Sequence, residues 1–290
     1  MTTQNTRLGI ALMIATTFVF AMQDGISRHL AETYNVLMVV MIRYWFFAAL
    51  VMTVTARRAG GVAPSARTSQ PILQIVRGLL LAFEVCLMVW ALERLGLAAV
   101  HAVFTCYPLI VAALSGPILG EQVGWRRWTA IGIGFIGILI ILRPGGSAMQ
   151  VEALVPLFAA FLFALYGLLT RHAAARDAAM TSFFWTGVVG AVAMTIVGVW
   201  AWQPMTAADW GWMGALCVLG SLGHYLLIKT YDVAEASAVQ PFAYFQLVFA
   251  TAVGVLVFDE TLYANVVLGA IIVVGAGLFT LWRERATQST

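Results

Sequence analysis

Ten runs of predominantly apolar residues, at about 8–30, 36–56, 71–92, 97–119, 128–142, 151–170, 180–202, 209–229, 236–257 and 262–282, divide nearly the whole chain between them. A helix needs about 20 residues to cross a ~30 Å hydrocarbon layer. Hydrophobic residues make up 62% of the 290 and charged residues only 10%, where soluble domains carry roughly 25%. So few charges cannot cover a soluble fold, whose apolar surface would lie in patches that water penalises; lipid accepts the same surface freely. The expected class is all-α: a polytopic membrane protein of ten transmembrane helices in a lipid bilayer.

Eight tryptophans (Trp90, Trp125, Trp128, Trp200, Trp202, Trp210, Trp212 and Trp282) fall near the ends of these runs, where amphipathic rings prefer the headgroup level. Arg7, Arg57, Arg58, Arg67, Arg126, Arg127, Arg171, Arg176, Lys229, Arg283 and Arg285 fall on one side of the resulting topology, and Arg28, Arg94 and Arg143 on the other. That bias places both termini in the cytoplasm of a bacterial cell and the helices in its inner membrane. The run after Arg7 continues to Leu30 without a small-residue cleavage site, so it reads as a retained helix and not as a signal peptide. A net charge of +3, with basic residues scattered singly, excludes a nucleic-acid footprint. Cys86, Cys106 and Cys217 lie inside apolar runs without CxxC spacing, which points to neither disulfides nor zinc.

The chain resembles itself. FAMQDGISRH from Phe20 aligns with FALYGLLTRH from Phe163, and 98–142 aligns with 237–281 without a gap, Glu121 falling on Glu260. The expected domains are 1–145 and 146–290, two five-helix repeats joined near 145–150. An odd number of crossings per copy forces the second copy to enter the membrane from the opposite face. Inverted repeats of this kind characterise secondary carriers, whose substrate site lies between the halves near the midplane.

The paired Glu121 and Glu260 motifs each follow a helix that starts with small residues (97–100 and 236–239) and precede a glycine-rich helix. In this the chain resembles the paired EamA domains of the drug/metabolite transporter superfamily, and within it is similar to the YddG-type amino-acid exporters. The resemblance implies a cavity lined by helices 1, 3, 4, 6, 8 and 9, peripheral helices 5 and 10, and export of small metabolites such as amino acids. It implies no cofactor and no ATP-binding domain, and the chain lacks a P-loop pattern.

Charges deep in a span are costly without a partner and are candidates for function. Asp24 and Arg43 fall at similar depths and are expected to form a structural ion pair. Arg77 and Glu84 share a face of helix 3 but lie about 10 Å apart along it, beyond direct bridging. Glu84, near the midplane, is the leading candidate for contacting a substrate amino group or carrying a coupled proton; the alternative is a carboxyl satisfied by neighbouring helices. His101, Phe104 and Pro108 share one face of helix 4, and Tyr166, His224, Tyr244 and Gln246 complete the candidate substrate-binding set, against the alternative that each packs between helices. Pro108 and Pro241 interrupt corresponding helices, though Pro108 aligns with Leu247.

Two motifs are set aside. GxGxxG at 132–137 lies within an apolar span and reads as a packing surface. Gly220, Ser221 and His224 lie on one helix, where an intramembrane serine hydrolase would need its base on another. No catalytic or metal site is expected. The expected activity is secondary export of amino acids, broadly including aromatic and hydrophobic ones, by alternating access. The alternatives are a nucleobase or drug exporter of the same fold, an intramembrane enzyme, and a scaffold, which buried charges disfavour.

Overall fold

The computed structural model describes residues 5–58, 60–120, 125–142, 152, 154–234 and 236–288. Glu121, Arg143 and the expected junction at 145–150 lie outside them. The described residues form helices α1 (Thr6–Ala31), α2 (Val36–Ala56), a single turn α3 (Ala63–Ala66), α4 (Pro71–Leu95), α5 (Leu97–Phe104), α6 (Tyr107–Leu119) and α7 (Trp125–Leu142). The second half supplies α8 (Leu154–Ala173), α9 (Ala179–Gly198), α10 (Ala207–Val233), α11 (Ala236–Ala243), α12 (Phe245–Phe258) and α13 (Ala264–Gln288). Among the described residues there is no strand; seven helical segments are long and apolar enough to cross a membrane, and 128–142, 245–258 and 264–279 are shorter apolar helices.

Local chemistry sets the boundaries. The side chains of Asn5, Asn35 and Thr206 accept from backbone N–H groups of Leu8, Leu37 and Asp209, capping α1, α2 and α10. Pro71 opens α4, where its missing N–H costs nothing. Gly120 ends α6 in the left-handed region at φ 75°, and Asp259 ends α12 there at φ 51°. The fourth and ninth apolar runs are both broken within their length. The fourth turns at Thr105–Cys106 between α5 and α6, and the ninth at Tyr244 between α11 and α12. Thr105 aligns with Tyr244 in the internal repeat, so the breaks share a register that the prolines do not.

Packing repeats in the same exchanged form. α1 lies along α10 as α8 lies along α4, and α1 meets α11 and α12 as α8 meets α5 and α6. α2 packs on α9 and α7 on α13, each helix against its own counterpart, which is what a two-fold relation between halves requires. The α7–α13 seam uses the last glycine of the GxGxxG stretch: a Cβ at Gly137 would stand 2.8 Å from the carbonyl oxygen of Gly269. Large apolar side chains such as Phe18, Leu79, Phe83, Ile196 and Leu256 face outward, while Asp24, Arg43, Arg77 and Glu84 are buried. That inversion of the soluble pattern is the one lipid selects.

Candidate functional site

α1, α2, α4, α5, α8, α10 and α12 converge on a central cavity lined by Phe20, Gln23, Asp24, Arg43, Glu84, Val85, Met88, Val89, Phe104, Phe163, His224 and Gln246. Its volume is about 30 Å³, room for about two waters and not for a metabolite. Substrate entry therefore requires the surrounding helices to move.

The expected Asp24–Arg43 ion pair is corrected. Gln23 sits between them: Arg43 Nη2 donates to Gln23 Oε1 at 2.8 Å, and Gln23 Nε2 donates to Asp24 Oδ1 at 3.0 Å. The other carboxylate oxygen of Asp24 faces His101 Nε2 at 3.1 Å, close enough for an ion pair but off the line of a hydrogen bond. Asp24 is thus held from two sides, and His101 stands behind it, outside the cavity lining. Arg43 crosses close to α10 because residue 220 is glycine; a Cβ there would lie 2.6 Å from Arg43 Nε.

Glu84 differs from Asp24. It is 4% exposed, lines the cavity, and makes no hydrogen bond or ion pair with any described residue. Arg43, also 4% exposed, uses only Nη2 among the described residues, leaving most of its donors unfilled. A cation and a carboxylate with spare capacity therefore share one cavity. Rings complete it. Phe20 and Phe163, which lead the two copies of the internal repeat, stand 6.4 Å apart edge to face, Phe104 lies 5.4 Å from Phe163, and His224 lies 5.1 Å from Phe20.

Of the sequence-expected substrate residues, Glu84, Phe104, His224 and Gln246 line the cavity. Pro108 does not: the turn at Thr105–Cys106 removes it from the face of His101 and Phe104 and sets it in the first turn of α6. Tyr244 is also displaced, because its hydroxyl fills the space at Gly277 of α13. Tyr166 lies under Arg77, whose Cζ stands 5.2 Å from its ring centre. Phe20, Gln23 and Phe163 were not among the expected residues, although the repeat alignment at Phe20 and Phe163 carried the signal for the two rings.

Further along α1, on either side of the cavity residues, contacts join the two halves. At one end Glu260 accepts from the backbone N–H groups of Leu97 (2.7 Å) and Ala98 (2.8 Å), and Arg28 binds the same carboxylate. An anion at a helix N-terminus with a cation beside it is favourable electrostatics. Gly96 (φ 82°) and Gly254 admit the carboxylate, since a Cβ at either would lie 2.6 Å from one of its oxygens. At the other end Asn5 N–H donates to Val233 O at 2.9 Å.

Comparison with known proteins agrees with this architecture. A solved crystal structure superposes with a TM-score of 0.67 at 16% identity, over 97% of this chain and 98% of that one. The chain is 26% identical to an S-adenosylmethionine uptake transporter of Rickettsia prowazekii (strain Madrid E), over 97% of this chain and 95% of the relative. It is 27% identical to a riboflavin transporter of Vibrio cholerae serotype O1, over 97% and 95%. The family model described as EamA-like transporter family matches twice, at residues 7–143 and 151–282. The protein is a multi-pass membrane transporter of small metabolites, not an enzyme, and the chain belongs to the EamA-like transporter family of the drug/metabolite transporter superfamily.

Proposed function

We propose that this transporter carries small zwitterions of the amino-acid type, holding the carboxylate on Arg43 and the ammonium on Glu84 while Phe20, Phe104 and Phe163 receive an apolar or aromatic remainder. The observation that carries this reading is the pair of opposite charges in one cavity, each 4% exposed and each with hydrogen-bonding capacity unfilled. A buried charge is retained at a cost unless something answers it. S-adenosylmethionine, named for the Rickettsia relative, has such an amino-acid end and a flat adenine that suits the rings.

In this reading residues 1–145 and 146–290 are inverted repeats, both termini are cytoplasmic in a bacterial inner membrane, and the contacts on either side of the cavity are closures that open alternately. Export and uptake are the same cycle run on opposite gradients, so direction follows the solute. Glu84 is also the group that would exchange a substrate ammonium for a proton.

The test is counterflow in proteoliposomes with labelled S-adenosylmethionine, phenylalanine and leucine. Movement of at least one, competed by the others and lost in Glu84→Gln, supports the reading. Movement of riboflavin or a nucleobase with no competition from any amino acid would favour the second reading, a carrier of flat heteroaromatics. Its support is the ring-lined wall and the riboflavin transporter among the relatives.

A further inference from the structure

Arg77 is fully buried, yet the central cavity does not use it. Its Nε donates to Thr170 Oγ1 at 3.0 Å, its Nη1 binds Gln74 Oε1, and its guanidinium lies over the Tyr166 ring. No carboxylate of a described residue touches it. Asp177, the acid of this network, is reached only through Gln74, whose Nε2 donates to Asp177 Oδ2 at 2.7 Å; Thr68 Oγ1 donates to the same oxygen at 2.5 Å. Two buried donors are left without an acceptor, Arg77 Nη2 and the Tyr166 hydroxyl. Native structures rarely leave such groups unfilled, and a charged one least of all.

Its place on α4 indicates what would fill it. Arg77 lies seven residues before Glu84, two turns and about 10 Å along the same helix face. It stands between the cavity and the side where Thr68, Gln74 and Asp177 join α4 to the α8–α9 connection. We infer that Arg77 and Tyr166 form a second, transient site for the carboxylate of the transported solute, which receives it from Arg43 as the path opens on that side. This inference rests on the zwitterion reading above. A carboxylate there would accept from Nη2 and from the Tyr166 hydroxyl while Thr170 and Gln74 keep the guanidinium in place.

The experiment compares S-adenosylmethionine with its decarboxylated form in proteoliposomes, for the wild type, Arg77→Gln, Arg77→Lys and Tyr166→Phe. Equilibrium binding of S-adenosylmethionine to the purified protein is measured alongside. Arg77→Gln is expected to slow exchange of the carboxylated solute about tenfold or more, the worth of a charge-assisted hydrogen bond, and to change exchange of the decarboxylated one less than about twofold. Binding at the central site is expected to stay within about threefold, with Arg77→Lys and Tyr166→Phe intermediate in rate. Equal slowing of both solutes would overturn the inference and leave Arg77 as a structural pin. If Arg77→Gln does not fold, Tyr166→Phe alone decides: slowing confined to the carboxylated solute supports the site, and slowing of both or neither overturns it. A wild type that binds none of S-adenosylmethionine, phenylalanine and leucine would remove the zwitterion reading and this inference with it, an outcome distinct from loss of carboxylate selectivity.

Discussion

Asp24 and Glu84 show how placement separates two carboxylates of similar burial. Asp24 is held by Gln23 and faced by His101, so it belongs to the frame, whereas Glu84 keeps its oxygens for the cavity. Their depth was legible from their position in apolar runs. The glutamine between Asp24 and Arg43 was not, because a residue adjacent to Asp24 in sequence gives no sign that it bridges to another helix. Gly220 is similar: in sequence it is one more small residue, and only the approach of Arg43 explains it. Gly220→Ala would set a Cβ 2.6 Å from Arg43 Nε. Counterflow is expected to fall about tenfold, with thermal stability reduced by the ~1–3 kcal/mol typical of an overpacked buried site. An unchanged rate would show that Arg43 need not hold its present position.

At the scale of elements, the ten spans were readable because hydropathy over about 20 residues is a long, redundant signal. The breaks were harder. Pro108 and Pro241 pointed to interruptions in the right pair of spans; the turn at Thr105–Cys106 falls just before Pro108, where a proline breaks a helix, whereas the one at Tyr244 falls after Pro241, in repeat register with Thr105. Those turns removed Pro108 and Tyr244 from the cavity. The closure at Glu260 was legible as a repeated glutamate without its role. Glu260→Gln keeps shape and removes charge at the start of α5, so a loss of about 2 kcal/mol is expected, seen as a lower midpoint of thermal unfolding. The same variant is expected to raise thiol labelling of a cysteine placed at Ala98, whose N–H the carboxylate holds. Gly96→Ala should act in the same direction, since it strains φ 82° and crowds the carboxylate together.

At the scale of the whole molecule, the two halves share helices and packing but not charge. Among the described residues, the buried Asp, Glu, Lys and Arg within spans are Asp24, Arg43, Arg77 and Glu84, all in the first half. The helices and their packing repeat between the halves, while these buried charges belong to the first copy and the second contributes Phe163, His224 and Gln246 to the cavity. Alternating closure makes a paired prediction. In a background without Cys86, Cys106 and Cys217, cysteines at Ala98 and at Val233, whose carbonyl accepts from Asn5, should respond to substrate in opposite directions, one gaining reactivity as the other loses it. Parallel changes would argue for a channel. The central claim is that a zwitterion is held between Arg43 and Glu84. Its most direct measurement is counterflow of labelled S-adenosylmethionine and phenylalanine by the wild type and by Arg43→Gln/Glu84→Gln. Loss of about tenfold or more in a folded double variant is expected, and transport at the wild-type rate would contradict a zwitterion site between these two residues.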